Sequence, residues 1–209
     1  MKVMLEGLDG TGKTTIGKLI EATYGFKYVH FPTRKPDKPF SEMTDRERYE
    51  FFVNDQIEGM KAFSDNYDNI VYDRGFVSTM LYQSKDNSEE ELDKILTDFE
   101  ERYGGRIDVD VIVILTAKPE VSLRRIMNDR KEIDYFENLE TLSRVASKIP
   151  TAVRVLRKHG YRVHVIDTSD LELADVFEEV LKVSGINNAT DRAGVYARPV
   201  VMPSPAPRR

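Results

Sequence analysis

The 209-residue chain contains no cysteine. Disulfide bonds and thiolate metal sites are therefore excluded. Histidine is scarce: His30, His159 and His164 are scattered and show no metal-ligand spacing. No apolar run approaches the roughly 20 residues that a membrane span needs. The first residues pass straight into a strand-like segment, which does not read as a signal peptide, so a cytoplasmic location is expected. An excess of basic charge is also missing. The formal net charge is −5, which argues against general nucleic-acid binding. Internal repeats are absent. The length suits one α/β domain with a substantial core.

Short apolar, β-branched runs alternate with longer helix-like segments. Strands are predicted at 2–6, 26–31, 69–72, 109–115 and 162–167, and Pro32 closes the second. Helices are predicted at 12–23, 44–64, 88–102, 120–130, 137–158 and 171–183. In the 44–64 segment Tyr49, Phe52, Val53, Ile57, Met60 and Phe63 recur at three- and four-residue steps, the mark of an amphipathic helix. Ser88 is placed to cap the helix that follows it, and acidic residues fill its first turn. Pro150 is expected to break or kink the 137–158 helix. Five strands interleaved with helices imply a parallel sheet covered on both faces. The domain is expected to span 1–184. The proline-containing 185–209 segment is expected to be a flexible tail.

Gly7-Leu8-Asp9-Gly10-Thr11-Gly12-Lys13-Thr14 fits G-x-x-x-x-G-K-[ST] at every fixed position. Glycines allow the backbone to turn its N–H groups onto phosphate oxygens, and the following helix offers its positive end. Lys13 is expected at the β- and γ-phosphates of a nucleoside triphosphate, and Thr14 on Mg²⁺. Thr15 completes the triphosphate-binding segment. By chance alone such a match arises in roughly one percent of chains this long, and a strand before and a helix after it are also present. A second apolar strand ends in Asp73-Arg74. Ligands of parallel sheets sit at the carboxyl ends of strands, which puts Asp73 near the same cleft. There its carboxylate suits Mg²⁺, and the planar fork of Arg74 suits a phosphate. The alternative is a capping Asp followed by a surface Arg.

With these residues in view, the chain resembles the thymidylate kinase family of nucleoside monophosphate kinases. Glu6 to Thr15 is similar to the family's phosphate loop, including its internal Asp. Phe31-Pro32-Thr33-Arg34 resembles its Phe-Pro-x-Arg segment. Asp73-Arg74-Gly75-Phe76-Val77-Ser78-Thr79-Met80-Leu81-Tyr82-Gln83 resembles Asp-Arg-Tyr-x-x-Ser-x-x-Ala-Tyr-Gln, and Arg130 to Glu137 resembles the lid. The resemblance implies a P-loop NTPase fold, a three-layer α/β/α sandwich with a five-stranded parallel sheet and a mobile lid near 125–137. It implies transfer of the ATP γ-phosphate to dTMP or a related pyrimidine deoxynucleotide, with Mg²⁺. Asp9 would contact the acceptor's 3′-hydroxyl and influence the metal. Arg34 and Arg74 would hold the acceptor phosphate, with Ser78 in support. Tyr82 would crowd the sugar's 2′ position, Gln83 would hydrogen-bond the base, and Phe52 would stack on it. Thr79 belongs to the same acceptor-binding stretch. Arg130, or Arg125, would close over the transferring phosphoryl group. The family's habit of dimerising makes a homodimer an expectation; the Tyr49–Phe63 stripe suits either that contact or the core.

Three positions depart from the pattern. Gly75 stands where the family has Tyr, and is expected to leave room for a larger acceptor. Asp134-Tyr135 replaces Asp-Arg in the lid. Gln56 stands where the family has an Arg reaching the thymine carbonyl. An Arg only donates, whereas a Gln amide donates and accepts, so relaxed or altered base choice is expected, including 5-substituted deoxyuridylate. Gly10 occupies the position where some members carry a loop Arg, which assigns the cationic role to the lid. Two rival functions are a kinase acting on a hydroxyl of a nucleoside or of a modified base in DNA, and a nucleotide-gated switch without turnover.

Overall fold

The computed structural model describes residues 1–129 and 135–186. Arg130, Lys131, Asp134 and the 187–209 segment lie outside the described residues. The chain runs β1 (Lys2–Gly7), α1 (Lys13–Tyr24), β2 (Lys27–His30), a 3-10 turn (Phe40–Glu42), α2 (Asp45–Ser64), β3 (Ile70–Asp73), α3 (Phe76–Gln83), α4 (Glu89–Tyr103), β4 (Val111–Thr116), α5 (Pro119–Asp129), α6 (Leu139–Lys158), β5 (Val163–Asp167) and α7 (Leu173–Ser184). Every strand pairing is parallel, and the order is β2-β3-β1-β4-β5.

Successive strand side chains point to opposite faces, and the core divides accordingly. Met4, Tyr72, Ile112 and Ile114 face one layer with apolar residues of α2, α3, α4 and α6. Val3, Leu5, Val71, Val113 and Leu115 face the other with α1 and α7. The result is the expected three-layer α/β/α sandwich. The α2 stripe serves the core: Val53, Ile57 and Met60 are buried in it, and Tyr49 and Phe63 pack against it. Among the described residues no helix is long and apolar enough to cross a membrane.

Local signals set several boundaries. Thr44 and Glu47 form a reciprocal capping box at the start of α2, and the Ser88 hydroxyl accepts from the Glu91 N–H at the start of α4. Three features depart from the sequence expectation. The helix α3 carries no polar–apolar period, because six of its eight residues are buried; a helix enclosed on all sides has no polar stripe to detect. The helix α6 continues unbroken through Pro150. An internal proline costs about 3 kcal/mol, but α6 buries Leu142, Val145, Ile149, Ala152, Val155 and Leu156, at roughly 1.5–3 kcal/mol for each large side chain. The ordered domain also extends past residue 184. Gly185 closes α7 with φ +81°, and Ile186 is fully buried in the α1/α7 layer, as an apolar residue after a C-terminal glycine commonly is.

Candidate active site

The phosphate loop joins β1 to α1 at the carboxyl edge of the sheet. Gly7 has φ +112°, and a β-carbon there would lie 2.0 Å from the Leu115 carbonyl oxygen. Only glycine permits that approach, and it lets the Leu8 N–H donate to Leu115 O at 3.1 Å. The first turn of α1 has neither a side-chain cap nor an acidic residue, so its N–H groups and positive end remain for an anion. Lys13 is buried and donates to the Leu8 carbonyl. Burial, reinforced by the Arg74 charge, pushes its pKa down to about 8, against the opposing pull of Asp9, Asp73 and Glu6. Gly10 packs on α5: a β-carbon there would lie 2.7 Å from the Ser122 carbonyl oxygen. This packing has no place for a loop arginine.

Asp73 ends β3 beside the loop, as strand geometry requires. Its Oδ2 accepts from Thr14 Oγ1 at 2.7 Å, from the Tyr28 hydroxyl at 2.7 Å and from His30 Nδ1 at 2.9 Å. Its Oδ1 is buried and has no hydrogen-bond partner among the described residues. Burial would raise the Asp73 pKa, yet the hydrogen bond from His30 and the Lys13 charge hold the carboxyl well below its ordinary range. A permanently ionised carboxylate with an unused oxygen, adjacent to a threonine hydroxyl, fits a hard divalent cation.

Arg74 adopts φ +71°, the only described non-glycine residue in that region. Such strain concentrates at functional sites, and here it aims the guanidinium into a polar chain. Arg74 donates to Asp9 Oδ1 and, at 3.2 Å, to Ser78 Oγ. Ser78 Oγ in turn donates to Glu6 Oε2 at 2.5 Å, and the Tyr82 hydroxyl donates to Asp9 Oδ2 at 2.8 Å. Burial pushes Asp9 up, but Arg74 and Lys13 together pull it below its ordinary value. Glu6 is fully buried, and desolvation raises its pKa to about 7 against the bond from Ser78.

Two cavities adjoin at this chain. One is lined by the phosphate loop from Asp9 to Thr15, with Asp73, Arg74 and Arg125. The other is lined by Phe40, Phe52, Phe136, Gln56, Thr79, Tyr82, Gln83, Arg74 and Ser78. Asp9, His30 and Arg74 line both. Phe40 stacks on Phe52 at 5.1 Å and touches Phe136 at 5.8 Å, while Phe136 meets Tyr82 edge-on at 5.8 Å. Gln56 is buried, and its Oε1 accepts from the Thr79 hydroxyl at 3.0 Å.

Most residues expected at the site are therefore brought together, with four qualifications. Arg34 is held by Glu58 at 3.1 Å and lies 3.8 Å from Asp55, and it lines neither cavity. Arg125 lines the phosphate-loop cavity but is anchored to the Thr168 hydroxyl and carbonyl at 3.0 and 2.7 Å. Arg130 lies outside the described residues. Gly75 faces the sheet: a β-carbon there would lie 2.6 Å from Met4 Cε. The space that it leaves is occupied by Met4 rather than opened to the acceptor cavity. Sequence reasoning overlooked Tyr28, His30, Glu6, Phe40 and Phe136. His30 had a signal, since it ends a strand at the same sheet edge as Asp73. Phe136 lay within the lid-like 130–137 segment, whereas Phe40 had no signal, lying outside any periodic segment.

Comparison with known proteins supports the same assignment. The profile of the family described as thymidylate kinase matches residues 5–180. The thymidylate kinase of Brachyspira hyodysenteriae is 30% identical over 161 residues, covering 68% of this chain and 76% of that one. The probable thymidylate kinase of Methanococcus maripaludis (strain C7) is 24% identical over 193 residues, covering 86% and 92%. Among solved structures, thymidylate kinase from Candida albicans superposes with a TM-score of 0.67 at 17% identity, covering 90% of this chain and 92% of that one. Deoxyadenosine kinase from M. mycoides superposes at 0.57 and 18%, covering 90% and 100%. These two show a shared fold. Phosphate loop, second strand-end site and family profile together establish that the chain belongs to the thymidylate kinase family, whose members are nucleoside monophosphate kinases.

Proposed function

We propose that the protein transfers the γ-phosphate of ATP, bound as its Mg²⁺ complex, to the phosphate of dTMP or a related pyrimidine deoxynucleotide. One observation carries this reading: a phosphate-loop cavity and an aromatic, amide-lined cavity meet at Asp9 and Arg74. Phosphoryl transfer needs in-line positioning and cancellation of charge more than covalent chemistry. Lys13 and the α1 amino end offset charge on the donor. Arg74, held in orientation by Asp9 and Ser78, offsets charge on the acceptor phosphate. Thr14 and Asp73 would hold Mg²⁺, which supplies further charge cancellation when bound. Tyr82, tied to Asp9, restricts the sugar. Arg130 from the lid is the proposed cation over the group in flight.

The base side rests on Gln56. With its oxygen engaged by Thr79, the amide offers its N–H donors, which suits a carbonyl on the base. This narrows the relaxed choice expected from a free amide, and Gly75 no longer argues for a larger acceptor. The scaffold itself accommodates other bases: the Candida albicans enzyme is described as having broad substrate specificity, and the M. mycoides kinase binds dCTP. A hydroxyl acceptor, which carries no phosphate, has less use for the Arg74 cation that lines both cavities, which disfavours it.

The test is a product assay with ATP and Mg²⁺ across dTMP, dUMP, 5-substituted dUMP, dCMP, purine monophosphates, free nucleosides and short DNA. Diphosphate should form fastest with pyrimidine monophosphates carrying a 4-carbonyl. Product formed only from nucleosides or DNA would overturn the assignment.

A further inference from the structure

Asp73 is held by more than the site chemistry requires. The sheet register pairs His30 with Asp73, and Tyr28 sits two residues earlier on the same strand. Residues two apart on a strand share a face, so both side chains approach the Asp73 carboxylate from one side. The ring of Tyr28 reaches it by crossing α1 at Gly17, where a β-carbon would lie 2.6 Å from Tyr28 Cε2. Gly17 has an ordinary helical backbone, and its missing side chain is what admits the ring. Helical glycine costs roughly 0.5–1 kcal/mol relative to alanine, and the gap it leaves is filled by Tyr28.

The consequence falls on one oxygen. Oδ2 accepts from Thr14, Tyr28 and His30, at 2.7, 2.7 and 2.9 Å. A carboxylate oxygen has about two lone-pair positions, so three donors saturate it. Rotation of the carboxylate would break all three bonds at once. Thr14 belongs to the phosphate loop; Tyr28 and His30 do not, and neither belongs to the segments in which the family resemblance was recognised.

We propose that Tyr28, assisted by His30, is a positioning residue that locks the Asp73 carboxylate in the orientation in which Asp73 and Thr14 together receive the divalent cation. This rests on the metal role given to Asp73 and Thr14 above. Partners that orient a metal-ligating carboxylate are typically worth 10–100-fold in metal affinity.

The experiment is Mn²⁺ binding in the presence of ATP, followed by electron paramagnetic resonance, for wild type, Tyr28→Phe and His30→Ala. Phenylalanine keeps the ring against Gly17 and removes only the hydroxyl. His30 is about half exposed, so its alanine variant preserves the fold if the other does not. The expected result is a Mn²⁺ affinity at least about tenfold weaker, with metal-free ATP binding unchanged in Tyr28→Phe and the melting temperature unchanged in both variants. Affinity within about twofold of wild type in both variants would overturn the proposal. Failure of wild type itself to bind Mn²⁺ with ATP would instead sink the metal role of Asp73 and Thr14, and this proposal with it.

Discussion

The Thr79 hydroxyl donates to Gln56 Oε1 at 3.0 Å in the wall of the acceptor cavity. Among the described residues the Gln56 amide nitrogen has no hydrogen-bond partner, so the pair presents a donor to the base. In Thr79→Val the shape is retained and the amide is free to turn. The ratio of kcat/KM for dTMP over dCMP should then fall about tenfold, the worth of one well-placed hydrogen bond. A ratio unchanged from wild type would show that Thr79 does not orient Gln56.

Lys13→Ala should lower kcat by about 10²–10³-fold, the size of one lost transition-state donor. Lys13 is buried in the loop and bonds only to the Leu8 carbonyl among the described residues, so its loss leaves the core contacts untouched. Far-ultraviolet circular dichroism and the melting temperature should match wild type. Near-normal turnover in the folded variant would remove Lys13 from the site.

Asp55 is buried in α2 and ties down the chain after β2. It accepts from the Thr33 N–H at 2.8 Å and from the Thr33 hydroxyl at 2.7 Å. Hydrogen bonds to a charged group contribute about 1.5–3 kcal/mol. Asp55→Ala should lower the urea unfolding free energy by about 2–3 kcal/mol and raise KM for the acceptor, because the 33–44 segment carries Phe40 to the cavity. Stability equal to wild type would refute the anchoring role.

His159 closes α6 between two carboxylates, Glu100 at 2.8 Å and Asp93 at 3.1 Å. Burial lowers its pKa, but the bonds to Glu100 and Asp93 outweigh it, and the folded value lies above the ordinary one. A group raised on folding contributes fully below its unfolded pKa, about 6.5, and its contribution is lost as pH rises through the folded value. The Asp93 carboxyl is held low by Lys158 and His159 and stays ionised throughout. Urea midpoints measured from pH 5.5 to 8.5 should therefore converge for wild type and His159→Gln as pH rises, with wild type the more stable at the acid end. Glu6 and Lys13 titrate in the same range, but they do so in both proteins and cancel in the difference. A constant gap across pH would exclude the histidine as its source.

Features governed by nearest neighbours were legible in the residues themselves. The glycines and Lys13 of the phosphate loop, the Ser88 cap of α4, and the apolar runs of the sheet depend on contacts within a turn or along one strand. The alternation of strand and helix followed from them, and so did the placement of Asp73 at the working edge. Tertiary structure alone decided the rest, since those relationships join residues far apart in the chain. Thr14 and Asp73 are 59 positions apart, Tyr82 and Asp9 are 73, and Glu6 and Ser78 are 72. No local pattern announces that Arg34 is drawn to Glu58, that Met4 fills the space beside Gly75, or that α6 runs through Pro150. The orientation of Gln56 is of the same kind. An amide has a donor and an acceptor end with equal claim to the cavity, and only the fold, which sets the Thr79 hydroxyl against the Gln56 oxygen, shows which end is engaged.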